Sequence, residues 1–203
     1  MNTVDLTPLD VATQWNGDEN RGLAAARVLL GELGMECTDE STKETPARFV
    51  QALRELTSGS TVDPRRHLQV TFPAVGRPTL ITATSVPFTS VCEHHLLPFT
   101  GHATVAYLPT SGAPIVGISK LARVVQEYAA RPQMQERIGE QVVDALTSSL
   151  DVQGAACLLK ATHACMTLRG VGAAGASIAT DHLRGALETD ANLRDRLFAA
   201  ANR

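Results

Sequence analysis

Residues 101–109 read GHATVAYLP, and their alternation sets the fold class. In an extended chain Ala103, Val105 and Tyr107 fall on one side and His102, Thr104 and Ala106 on the other. That period of two predicts a strand with one buried face. The preceding PTLITATSV, residues 78–86, is rich in Thr and Ile and opens on a proline, so it reads as a neighbouring strand. Downstream the period becomes helical. Leu121, Val124, Val125 and Tyr128 form one apolar stripe that Pro132 ends. Met134, Ile138, Val142, Ala145, Leu146 and Leu150 form a longer one. Two more strands are expected, AACLLKAT at 155–162 and HACMTLRGV at 163–171, then a Gly- and Ala-rich stretch and a short helix over 191–199.

Upstream, the first 20 residues have weak periodicity and read as a loose arm that packs on a partner subunit. Leu23, Ala26, Leu30 and Leu33 recur at helical spacing. A second helix is marked by Thr45 as N-cap and Pro46 at the first helical position, with Phe49, Leu53 and Leu56 on one face and Gly59 as its stop. The order predicts an α+β chain: an antiparallel four-stranded sheet, two long helices on one face, and N-terminal helices beside it. Residues 1–60 form the N-terminal arm and helices, and 61–203 the main domain. A sheet with a free edge and one covered face favours association with further copies.

Composition excludes several classes. Of 203 residues 44% are hydrophobic and 19% charged, so the chain can bury a core. The formal net charge is −3, and no basic block marks a nucleic-acid footprint. No apolar run approaches the roughly 18–20 residues of a membrane span, and the opening MNTVDLTPLDVATQ lacks the pattern of a secretory signal. A cytoplasmic protein without nucleic-acid or membrane partners is expected. Cys157, within AACLLKA, reads as a buried small hydrophobe and Cys37 as a residue with no special role.

Chemistry concentrates in two clusters, Cys92-Glu93-His94-His95 and His163-Ala164-Cys165. Thiol and imidazole donors suit a zinc ion, and a catalytic site typically uses three such ligands. Five candidates are available. A Cys92, His95, Cys165 set leaves His94 and His163 for proton transfer, whereas a closed structural site would take four. In an extended segment residues 163 and 165 point to one side, and Cys92 can meet His95 if the chain turns after Glu93.

A second polar set surrounds the middle helices. Gly112 and Gly117 have P-loop separation, but Lys120 does not follow the second glycine and the Lys–Ser order is wrong, so that motif is rejected. Ser119, Lys120 and Arg123 at a helix start still suit an anion, as does Arg169 beside Gly170. Gln135 and Glu136 follow the proline break. A carboxylate there can accept two parallel hydrogen bonds from an edge like that of guanine, or be solvated in a first turn where Glu is favourable anyway.

These stretches resemble the GTP cyclohydrolase I family: VCEHHLLPFTGHATVAYLP, VGISKLARVVQEYAARPQMQERIGEQVVDAL and HACMTLRGV, with TPARF at Thr45 ahead of them. The similarity is dense from about residue 84 to 171 and covers roughly two-thirds of the chain. It implies the tunnelling fold, in which subunit sheets join into rings and two pentameric rings stack as a decamer. By motif match it implies zinc on Cys92, His95 and Cys165, with His94 and His163 catalytic. Glu136 becomes the guanine anchor, assisted by Gln135. Ser119, Lys120, Arg123 and Arg169 become ribose-triphosphate contacts, and Arg48 reaches in from an adjacent subunit. The implied reaction adds water across N7–C8 of GTP, with His163 favouring protonation of N7. The ring opens, C8 leaves as formate, and an Amadori rearrangement gives 7,8-dihydroneopterin triphosphate.

The chain departs from the family after RGV. GAAGASIATDHLRGAL places Ala176, Ile178 and Asp181 where hydroxyl residues are common, and LRDRLFAA replaces an REFL-like run. Two other readings follow: a formate-releasing GTP hydrolase with a different nucleotide product, and a non-catalytic zinc-containing purine sensor or scaffold. A scaffold has no use for two unligated histidines, which favours the enzyme.

Overall fold

The computed structural model describes residues 19–202, so most of the expected N-terminal arm lies outside the described residues. Helices α1 (Glu19–Glu32) and α2 (Thr45–Leu56) pack on each other. The α2 start differs from expectation. Glu44 is the N-cap, without a side-chain cap bond, and Thr45 is already helical. Gly59 is not the stop either, since Thr57 caps the helix. Gly59 instead marks a close approach: a Cβ there would lie 2.1 Å from the Glu127 carbonyl oxygen, and its N–H donates to the Ala130 carbonyl at 2.8 Å.

The rest of the chain runs β1 (Thr71–Phe72), β2 (Ile81–Cys92), β3 (Pro98–Pro109), β4 (Ile115–Val116), α3 (Ile118–Ala129), β5 (Pro132–Gln133), α4 (Gln135–Ser149), β6 (Val152–His163), α5 (Ala164–Thr167), β7 (Ile178–Gly185), α6 (Ala186–Thr189) and α7 (Ala191–Ala201). The main sheet has the order β5-β2-β3-β6-β7, with four long antiparallel strands and the two-residue β5 added in parallel beside β2. The fourth long strand is not 163–171. It is β7, drawn from the Gly- and Ala-rich stretch, because β6 ends at His163 and the chain then closes a helical turn. Ile178, Thr180 and His182 are partly buried along β7, an alternation that the glycines before it obscured.

Ala103, Val105 and Tyr107 face α3 and α4 in the larger core, as the alternation predicts. In β2 the buried set changes phase, from Ile81 and Ala83 to Val86 and Phe88. A bulge between Ala83 and Val86, with Ser85 at φ 53°, inserts the extra residue that causes this. The opposite face is not wholly open: α6 and α7 cover its end, where Leu187 and Leu197 pack against Ala106, Ala156 and Leu158. Cys157 is fully buried, and burial pushes its thiol up to about 12. Among the described residues no helix is long and apolar enough to cross a membrane.

The α3 stripe carries one charged surprise. Glu127 is 2% exposed and is held by Arg66 at 2.5 and 2.6 Å and His67 at 2.8 Å, both from the 3-10 segment Pro64–Gln69. This cluster ties α3, the element bearing Ser119, Lys120 and Arg123, to the preceding chain.

Candidate metal centre and substrate site

Cys92 is the last residue of β2. The chain turns after Glu93, as the spacing requires: Leu96 N–H donates to the Cys92 carbonyl at 2.8 Å, and Cys92 N–H to the Leu97 carbonyl at 2.8 Å. Leu96 takes φ 53° to close this turn, a conformation that costs a non-glycine residue on the order of 1 kcal/mol. The turn returns His95 over Cys92, with Nδ1 3.7 Å from Sγ.

Cys165 arrives by a different route from the one expected. It does not share a strand with His163; it sits in the single turn α5, which folds the chain back after β6. The donor atoms of Cys92, His95 and Cys165 nevertheless all lie within 4.8 Å of one another. Two thiols and an imidazole, with no carboxylate, suit a borderline-soft divalent cation. The 3.7 Å sulfur–nitrogen separation is that of two ligands sharing one tetrahedral ion at bonds of roughly 2.0–2.3 Å. Burial, and then the neighbouring Cys92 sulfur, raise the Cys165 thiol; a bound cation would reverse that by favouring thiolate.

The two remaining histidines are not in this donor group. His94 is 60% exposed, with Nδ1 3.6 Å from the Cys92 sulfur. His163 ends β6, where its ring stacks on Phe99 at 4.3 Å and 6°. Burial pushes its imidazole pKa down, while the Glu136 carboxylate pulls it up. Arg169 brings its guanidinium within 3.5 Å of His95 Nε2.

The start of α4 borders the same cluster. Glu136 is exposed in its first turn, available to a ligand. Gln135, expected to assist at guanine, is turned inward: it is 1% exposed, and its amide bonds to His163 and to β6 and β7. Arg137, which the sequence reading passed over, pairs with both oxygens of Glu93 at 2.5 and 3.1 Å. That pair holds the Glu93 carboxyl below the usual carboxylate range and ties the Cys92–His95 turn to α4. Ser119, Lys120 and Arg123 occupy the first turns of α3, and Arg48 the first turn of α2. Among the described residues none of these four side chains bonds to the cluster.

The sequence model described as GTP cyclohydrolase I matches residues 23–202. The chain belongs to the GTP cyclohydrolase I family. It is 40% identical to GTP cyclohydrolase 1 of Corynebacterium glutamicum over 182 residues, covering 90% of this chain and 92% of that one. With GTP cyclohydrolase 1 of Mycobacterium leprae it shares 42% over 177 residues, covering 87% and 86% of the two chains. With that of Acetivibrio thermocellus it shares 40% over 185 residues, covering 91% and 98%. Members of the GTP cyclohydrolase I family are enzymes, and this chain is one. The altered 172–185 segment lies inside the matched span, so the departures in β7 are variations within the family.

Proposed function

We propose that this chain opens the imidazole ring of GTP by hydrolysis, releases C8 as formate, and yields 7,8-dihydroneopterin triphosphate. The observation that carries the reading is the convergence of Cys92, His95 and Cys165 within 4.8 Å, in a chain of the GTP cyclohydrolase I family. Cys92, His95 and Cys165 would hold zinc, which supplies Lewis acidity at C8 when bound.

Glu136 accepts the N–H and NH₂ edge of guanine and so orients the purine. His163 and His94 move protons, His163 at N7. An imidazole suits this because its ordinary pKa, about 6.5, allows donation and acceptance near neutrality. Ser119, Lys120, Arg123 and Arg169 hold the ribose triphosphate, with Arg48 supplied by a neighbouring copy. The distribution of these groups over separate helices supports a site shared between subunits, and the family resemblance supports a decamer of two pentameric rings working in the cytoplasm.

The test is anaerobic incubation of zinc-loaded protein with GTP, with formate quantified and nucleotides resolved by mass spectrometry. Equal formate and dihydroneopterin triphosphate are expected. Formate with another nucleotide would move the assignment to a different product, and neither product would refute the reading.

A further inference from the structure

Gln135 is nearly inaccessible yet stands one residue from the proposed guanine anchor. Its side-chain nitrogen faces three groups: the Leu159 carbonyl at 3.4 Å, the Ile178 carbonyl at 3.2 Å and Thr180 Oγ1 at 3.1 Å. Leu159 and Thr180 are register partners on β6 and β7, so the amide caps the seam between two strands. Backbone carbonyls only accept, so the NH₂ group must face them. The oxygen then faces His163, 2.9 Å from Nε2. An amide oxygen only accepts, so His163 Nε2 must carry the hydrogen. Nδ1 is left as the nitrogen that exchanges a proton elsewhere.

The ring has one further constraint. Phe99, 1% exposed and paired with His163 across β3 and β6, stacks on it almost parallel. Stacking fixes the ring plane, and the Gln135 bond fixes rotation within that plane. Together they leave His163 one orientation and one neutral tautomer.

We infer that Gln135 is a positioning residue that sets the orientation and tautomer of His163, rather than a contact to guanine. The inference rests on the proposed function above, in which His163 transfers a proton to the purine. A general acid or base contributes only when its correct nitrogen points at the reacting atom. Chemistry should therefore depend on Gln135 while purine binding does not.

The test compares Gln135→Met, Thr180→Val, His163→Ala and the Gln135→Met/His163→Ala double variant, each with zinc content confirmed. Steady-state kcat and KM for GTP are measured on the zinc-loaded proteins, with GTP affinity from rapid mixing before turnover and discrimination against ATP. Expected for Gln135→Met is a kcat loss of at least about 10-fold, with KM, affinity and discrimination within about 3-fold of wild type. Thr180→Val, which removes one acceptor and keeps the amide, shows the same pattern at smaller size and covers the case in which Gln135→Met folds poorly. Followed in single turnovers, Gln135→Met costs nothing further in the His163→Ala background, because its effect runs through that imidazole. A rise in KM with loss of GTP preference overturns the inference in favour of direct guanine contact. An equal loss with and without His163 overturns it in favour of a general structural effect. Impaired His163→Ala beside unimpaired Gln135→Met sinks this inference alone. Unimpaired His163→Ala removes that residue's role in the proposed function.

Discussion

Replacing Glu127 by Gln should weaken the fold measurably while leaving the metal centre intact. The carboxylate receives three donors: Arg66 Nη1 at 2.6 Å, Arg66 Nη2 at 2.5 Å and His67 Nε2 at 2.8 Å. An amide keeps one accepting oxygen and turns its NH₂ against a donor. Hydrogen bonds to charged groups contribute about 1.5–3 kcal/mol each, and breaking a buried pair costs about 3–5 kcal/mol. Arg66 is 41% exposed and can turn its guanidinium to water, which lowers the upper figure; His67, at 11%, cannot. The net loss should be about 2–3 kcal/mol. For a chain of this size each kcal/mol shifts Tm by roughly 2–4 °C, so the melt should fall by roughly 4–12 °C. The assay is thermal and urea unfolding of zinc-loaded protein at fixed protomer concentration, since any assembly makes stability concentration-dependent. Arg66→Met/His67→Phe/Glu127→Leu should recover most of the loss, because it removes the carboxylate together with both of its partners rather than stranding one. A Glu127→Gln protein within about 0.5 kcal/mol of wild type would refute the assignment of this cluster as an anchor of α3.

Gly59→Ala should destabilise by at least about 1–3 kcal/mol, because its Cβ would lie 2.1 Å from a backbone oxygen that cannot move aside; unchanged urea midpoints would contradict this. Cys92→Ala should lose zinc and activity together, and full zinc occupancy by elemental analysis would remove Cys92 from the ligand set. Glu136→Ala should keep the fold and bound zinc but erode the preference for GTP over ATP, and an unaltered preference counts against the guanine anchor. Arg137→Leu frees the Cys92–His95 turn from α4, so zinc affinity should weaken on the order of 10-fold by chelator competition, as when an outer partner of a metal site is lost. Equal affinity in that variant would show the Glu93–Arg137 pair to be incidental.

The strands and helices flanking residues 101–109 were legible in the chain because their side-chain periods match their surroundings: two for Ala103, Val105 and Tyr107, helical for Leu121 to Tyr128. The strand at 163–171 was misplaced for a related reason. His-Ala-Cys-Met-Thr-Leu looks extended by composition, but β3 pairing ends at Phe99 and His163, so beyond that point nothing holds the chain straight. The true fourth strand, Ile178–Gly185, hides behind glycines and takes its pattern from packing on β6 and α4.

The chemistry divides in the same way. Residue types and spacing were enough to point to a thiol–imidazole metal site, since few side chains bind such an ion and they cluster here. Spacing alone left five candidates open, and the turn closed by Leu96 with the helical turn at Ala164 brings Cys92, His95 and Cys165 into one group of donor atoms that His94 and His163 do not join. Glu127 gave one usable hint, a charge three residues from Val124 on an otherwise apolar face. Its partners Arg66 and His67 gave none, because an ion pair about 60 residues apart in the chain has no local pattern. Gln135 is the sharpest case. One letter beside Glu136 reads equally as a ligand contact or a first-turn surface residue, and neither reading anticipates the inward turn that carbonyls from two strands impose once the sheet forms.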